Sequence, residues 1–172
     1  DGDKAPLSEL LALAKQHNAW LMIDDAHGFG VLGKTGLGSC EALNTEQLPE
    51  LLVITFGKAV ASSGACVLGS KHFIDYMLQF NRDYTYSTAM SPLIAGLTLA
   101  RIKAIKTADD KRAQLKANIS YFKQLAKQHN ITVMESSTAI QPIVLGCAEH
   151  TLNVASKLKE YGVWLTAIRP PT

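Results

Sequence analysis

At 172 residues, the chain is long enough for one ordinary domain with a sizeable core, or for part of a larger one. Its 17 Lys and Arg against 15 Asp and Glu leave a net charge of +2. That is too small to point to nucleic acid or an anionic membrane as a partner. A hydrophobic content of 47% includes no run near the roughly 18 apolar residues of a membrane span, which argues against a membrane protein.

Ala5 to Lys15 reads as an amphipathic helix, with Pro6 in its first turn, Leu7, Leu10, Leu11 and Ala14 on one face, and His17-Asn18 as its stop. Trp20 to Ile23 is a wholly apolar run, as expected of a strand covered on both faces. It delivers Asp24-Asp25-Ala26-His27-Gly28-Phe29-Gly30 at its carboxyl end, where ligand groups gather in open α/β sheets. The glycine-rich stretch from Val31 to Ser39 is a loop, and residues 41–50 are helical or irregular. Leu51 to Phe56 is the next buried strand. Ser63 to Leu68 follows it too closely for a helical crossover, which predicts an antiparallel pair. Helices are expected over Lys71–Asn81, Pro92–Lys106, Asp109–His129 and Thr151–Tyr161, with an aromatic and hydroxyl-rich loop over Asp83–Pro92. Strands are expected over Ile131–Met134, Ile140–Leu145 and Val163–Ile168.

The pattern predicts an α/β fold in two parts. Residues 1–108 form part of a large domain with a mostly parallel sheet, and residues 109–172 begin a small α+β domain, hinged near 108 by the long helices. Three strands are few for a complete sheet, and the chain opens Asp1-Gly2-Asp3 without an initiator methionine, as the interior of a longer protein would. The cysteines, Cys40, Cys66 and Cys147, are odd in number and far apart. Cys66 and Cys147 lie in apolar runs and are expected to act as small core residues. That usage and the lack of a signal-peptide pattern suit a reducing cytoplasm.

Two short stretches carry the chemistry. Thr55-Phe56-Gly57-Lys58 ends a buried strand in a hydroxyl and a lysine. A lysine held at a strand mouth is the setting for a Schiff base, because only the neutral amine attacks a carbonyl. Asp24 and His27 end the preceding strand. As metal ligands they lack a further His or carboxylate at ligand spacing. As a D-E-A-H style ATPase motif, Asp24 to His27 needs a phosphate loop upstream. The literal G-x-x-x-x-G-K-T of Gly28 to Thr35 comes after the acid instead of before it, and Gly36 and Gly38 break the helix such a loop requires. The reading that uses both stretches is pyridoxal phosphate. Asp24 can hold a pyridine nitrogen protonated, His27 can hydrogen-bond the phenolic oxygen, Lys58 supplies the imine, and Thr55 adds a hydroxyl to the phosphate.

Asp24-Asp25-Ala26-His27-Gly28-x-Gly30-Val31-Leu32-Gly33, then Thr55-Phe56-Gly57-Lys58-Ala59, then Tyr86-Ser87-Thr88, closely resemble the α-oxoamine synthases, a group of fold-type-I pyridoxal-phosphate enzymes. The resemblance covers essentially the whole chain. Ala26-His27-Gly28 and Ile168-Arg169-Pro170-Pro171-Thr172 favour the biotin-pathway branch over the threonine-pathway ligase. It implies that Asp24 pairs the pyridinium nitrogen and His27 the 3′-oxygen. It also implies that Lys58 carries the cofactor and later takes the substrate's α-proton, and that Thr55 binds phosphate. Thr88, with Ser87 assisting, would reach the phosphate in the neighbouring subunit of a homodimer, and Thr172 would lie in a substrate-binding segment. Phe29 departs from the small hydroxyl residue usual at its position, with no expected loss of cofactor binding. The implied reaction is decarboxylative condensation of L-alanine with a pimeloyl thioester, carried by CoA or by acyl carrier protein. Use of glycine or serine instead, or a non-catalytic relative, are the alternatives. The family's ring-stacking aromatic and carboxylate-gripping arginine fall outside the chain, so the 172 residues by themselves are expected to be inactive.

Overall fold

The computed structural model describes residues 1–43 and 48–170, and the chain divides into two compact units. One comprises Lys4–Asn118 and the other Asp1–Asp3 with Ile119–Thr172.

In the first unit the leucines at helical spacing form α1 (Leu7–Gln16) and bury Leu11. Asn18, with φ +49°, turns the chain out of the helix as the His17-Asn18 stop requires. β1 (Met22–Asp24) and β2 (Leu51–Thr55) pair in parallel, Met22 opposite Leu51 and Asp24 opposite Val53. β2 and β3 (Ala65–Gly69) pair antiparallel, as the short connection predicts. The result is a three-stranded mixed sheet in the order β1-β2-β3, one parallel pair and one antiparallel, within an α/β fold. β1 is not covered on both faces: Ile23 is buried, but Met22 is 62% exposed and the preceding Trp20 68%. Among the described residues it pairs with β2 alone. The core gathers instead at the end of β2, where Ile54, Phe56 and Val60 are packed by Phe29, Leu52, Cys66, Ile102 and Ile105.

Helices follow at α2 (Lys71–Phe80) and α4 (Pro92–Ile105). A short helix, α3 (Arg82–Thr85), occupies ground expected to be loop. Asn81 explains it, because its side chain caps the new helix by accepting from Tyr84 N at 3.1 Å. α5 (Asp109–Gln128) begins in the first unit and ends in the second.

In the second unit α6 (Ala148–Glu160) forms three residues earlier than the sequence suggests. The expected strands over 131–134, 140–145 and 163–168 do not form. One backbone bond, Met134 N to Pro142 O at 3.0 Å, joins the first two, and Pro142 has no N–H to extend a ladder. Over 163–168, Trp164 is 79% and Ile168 72% exposed, so no apolar face pins a register. The unit is held instead around buried Ser136. Its hydroxyl donates to Gly2 O at 3.1 Å, and its carbonyl accepts from Lys123 Nζ.

The cysteines are also redistributed. Cys147 is exposed and precedes α6, Cys66 is half-buried, and Cys40 is the buried one. Cys40 faces the core because the 3-10 turn Ser39–Ala42 rotates it inward.

Candidate active site

Parallel pairing puts the carboxyl ends of β1 and β2 at the same edge of the sheet, strands roughly 5 Å apart. Asp24 closes β1 and Thr55 closes β2, with His27 and Lys58 each three residues beyond its strand end. The topology thereby brings four of the sequence-predicted residues to one edge. Ser87 and Thr88 lie in an exposed segment after α3, and among the described residues no side-chain hydrogen bond ties them to that edge. Thr172 lies outside the described residues.

Adjacent residues of a strand point to opposite faces, and the two aspartates divide accordingly. Asp24 is exposed, with Oδ1 accepting from Ala26 N at 3.0 Å and Oδ2 left open. Asp25 is 4% exposed, and every polar group it has is engaged. Its N–H donates to Val53 O at 2.9 Å, and its carbonyl accepts from Gly28 N and Phe29 N, both at 3.1 Å. Its carboxylate accepts from Ser39 Oγ at 2.6 Å and Ser39 N at 2.9 Å. The Asp25 O···H–N Gly28 bond closes a turn with Ala26 and His27 at its centre, which presents the His27 imidazole to solvent.

The glycine-rich loop is closed by a second carboxylate. Glu41 accepts from Thr35 N at 2.7 Å and from Leu37 N at 3.0 Å. Partial burial acts upward on its carboxyl but is outweighed by these backbone bonds, so it sits below its ordinary value. The bonds also dispose of the chance phosphate-loop match. No helix follows Lys34-Thr35, and the amides there are already occupied by the protein's own anion.

Lys58 is held differently. Phe56 N donates to Gly64 O and Ser62 N to Phe56 O, both at 2.8 Å, pinching residues 56–64 into a tight loop. Phe56 (7% exposed) and Val60 (1%) anchor it on either side of the lysine. Thr98 donates to Ile94 O at 2.8 Å, so its single proton is used and Ser62 Oγ is the donor in the 2.6 Å bond between the two hydroxyls. That bond fastens the loop to α4. Lys58 itself is exposed, with no ion pair among the described residues. Thr55 Oγ1 is buried without a hydrogen-bond partner. An unsatisfied buried hydroxyl costs about 1–3 kcal/mol, and an oxygen-rich ligand group arriving at this edge would relieve it. The donor set therefore fits pyridoxal phosphate: an open carboxylate, an imidazole, a free amine and an orphaned hydroxyl. A separate cleft of about 540 Å³, lined by Ala59, Val60, Arg101 and Ile105 among others, contains none of the predicted site residues.

Asp25, Ser39 and Glu41 went unread in the sequence. The usable signal was the pair of adjacent acids at a strand end, of which alternation must turn one inward.

The profile of the aminotransferase class I and II family matches residues 1–172. The chain belongs to the aminotransferase class I and II family. Within it, the chain is 49% identical over 172 residues to an 8-amino-7-oxononanoate synthase of Serratia proteamaculans and 48% identical to one of a Marinomonas species. All of the chain is covered in both cases, but it spans only 44% and 43% of those relatives' lengths. Among solved structures of the family's fold, the 8-amino-7-oxononanoate synthase of Francisella tularensis superposes with a TM-score of 0.81 at 31% identity, covering 95% of this chain and 49% of that one. A serine palmitoyltransferase of Sphingomonas wittichii superposes with a TM-score of 0.90 at 27% identity, covering 98% of this chain and 43% of that one. Among the described residues, no helix is long and apolar enough to cross a membrane.

Proposed function

We propose that the chain is the lysine-bearing part of a pyridoxal-phosphate-dependent acyltransferase that condenses L-alanine with a pimeloyl thioester, releasing CO2 and the thiol carrier to give 8-amino-7-oxononanoate. The observation that carries the reading is the meeting of Asp24 and His27 with Thr55 and Lys58 at one edge of a parallel strand pair. The identity of 48–49% to the named synthases supports the substrate pair. Residues 1–108 would belong to the large cofactor domain and residues 109–172 to the small domain of a cytoplasmic homodimer.

When bound, pyridoxal phosphate supplies an electron sink that lets an amino acid lose its α-proton. The open oxygen of Asp24 would keep a proton on the ring nitrogen, and His27 would donate to the ring's phenolic oxygen. Thr55 Oγ1 donates to a phosphate oxygen and so loses its unsatisfied state. Lys58 Nζ would hold the cofactor and, with its amine free, would serve as the general base for the substrate's α-proton. Thr88, with Ser87, would contact the phosphate in the neighbouring subunit, and Thr172 would belong to a substrate-binding segment.

The higher TM-score to serine palmitoyltransferase supports a second reading, a serine- or glycine-using condensing enzyme. Sequence identity of 48–49% against 27% favours alanine. Full-length protein reconstituted with cofactor is expected to show a visible absorbance band that borohydride abolishes and Lys58→Ala lacks. A colourless wild type would end the enzyme reading. Thiol release with alanine, but not glycine or serine, separates the two substrate assignments.

A further inference from the structure

We propose that Asp25, which does not face the ligand edge, is a positioning residue that aims Asp24 and His27 by stapling their turn to Ser39. The inference rests on the cofactor reading above.

Burying a carboxylate is costly unless it is paired, and no lysine, arginine or histidine pairs with Asp25 among the described residues. Among the described residues its carboxylate is held by two hydrogen bonds, both from Ser39. Both flanks of the carboxylate are kept clear by glycine. A Cβ at Gly28 would overlap Asp25 Oδ1, and one at Gly38 would overlap Oδ2. Gly38 also has φ +91°, which side chains rarely adopt. Two glycines ten residues apart in sequence thus serve one slot, and the slot holds a group whose only visible task is to join residue 25 to residue 39. What moves if the staple opens is the turn closed by Asp25 O and Gly28 N. That turn carries His27 within it and Asp24 immediately before it. A simple core residue would be better served by an apolar side chain, because an unpaired charge gives nothing back in packing.

The test uses full-length protein carrying Asp25→Asn or, independently, Ser39→Ala. In Asp25→Asn the charge on the acceptor is lost and the Ser39 hydroxyl must turn round to accept from the new amide, while Ser39→Ala leaves the carboxylate and its backbone bond and removes the 2.6 Å bond. For Asp25→Asn, we expect cofactor affinity, read by fluorescence titration, to fall roughly 10–100-fold, by analogy with the loss seen when residues that orient metal ligands are changed. The circular dichroism of the bound cofactor should weaken in parallel, with the borohydride-reducible link to Lys58 retained. Ser39→Ala should move both readouts the same way by a smaller factor. Lower melting temperatures with affinity and dichroism at wild-type values would make the staple merely structural and overturn the inference. If Asp25→Asn fails to fold, an unchanged Ser39→Ala decides against it. A wild type that forms no borohydride-sensitive band removes the cofactor reading and this inference together. A wild-type band with unchanged variants removes this inference alone.

Discussion

The loops that follow β1 and β2 arrive at the same sheet edge, and what distinguishes them is that one is clamped by carboxylates and the other is not. The loop from Asp25 to Glu41 sets Ala26, Phe29 and Cys40 against the core, and two carboxylates knit its backbone together by accepting from Ser39, Thr35 and Leu37. The loop from Phe56 to Gly64 has no charged clamp, and is anchored by Phe56 and Val60 in the core. Hydrogen bonds to ionised groups are directional and depend on protonation, whereas apolar burial is non-directional and indifferent to pH. One loop is suited to hold an angle, the angle of a carboxylate and an imidazole. The other is suited to hold a flexible lysine near a fixed root while leaving its amine free to travel.

The largest effect should come from the apolar anchor. Phe56→Ala is expected to cost about 3–5 kcal/mol, read as a loss in denaturant midpoint with little change between pH 5 and pH 8. A marked pH dependence of that loss would break the contrast. Next, Gly38→Ala must adopt a strained backbone and displace Asp25, with an expected cost of about 1–3 kcal/mol from the backbone alone. Limited proteolysis should then cut within residues 28–38 before it cuts within 56–64.

The two strand-end strings were legible because their chemistry is local. Asp24, His27, Thr55 and Lys58 are each read from a few neighbours, and a strand-then-acid or strand-then-lysine order fixes which end of the sheet they reach. The antiparallel turn between β2 and β3 was legible for the same reason: its connection is too short for anything else. Asp25 was not, since its partner Ser39 is 14 residues away and only the folded loop closes that distance. Apolar runs such as Ile140–Leu145 misled because they state a propensity, and a strand also needs a partner with free N–H groups, which Pro142 denies.

A smaller effect sharpens the comparison from the charged side. The Glu41 carboxyl lies below its ordinary value, so its contribution is complete above the unfolded value of about 4.3 and is lost as pH falls through the lower folded value. Because this side chain is only partly buried, Glu41→Gln should cost under about 1 kcal/mol at pH 7. The gap between wild type and variant should close on acidification, as measured by thermal melting, and a gap that widens would contradict the assignment. Smallest of all is a change in cysteine reactivity. Burial, and then the nearby Asp25 charge, raise the Cys40 thiol, so it should alkylate well after exposed Cys147. Asp25→Asn should narrow that difference, and equal rates in the wild type would count against a closed staple.

With β2 in the middle, β1 and β3 each turn one row of peptide N–H and C=O groups away from the sheet, and among the described residues neither row meets another strand. Neither outer strand contains a proline or a lysine, the usual devices that blunt such rims. Unpaired rim groups of this kind can accept a further strand. Where these rims are left bare, the same readiness turns outward. Copies of the chain then have matching templates for one another, so self-association should rise with concentration.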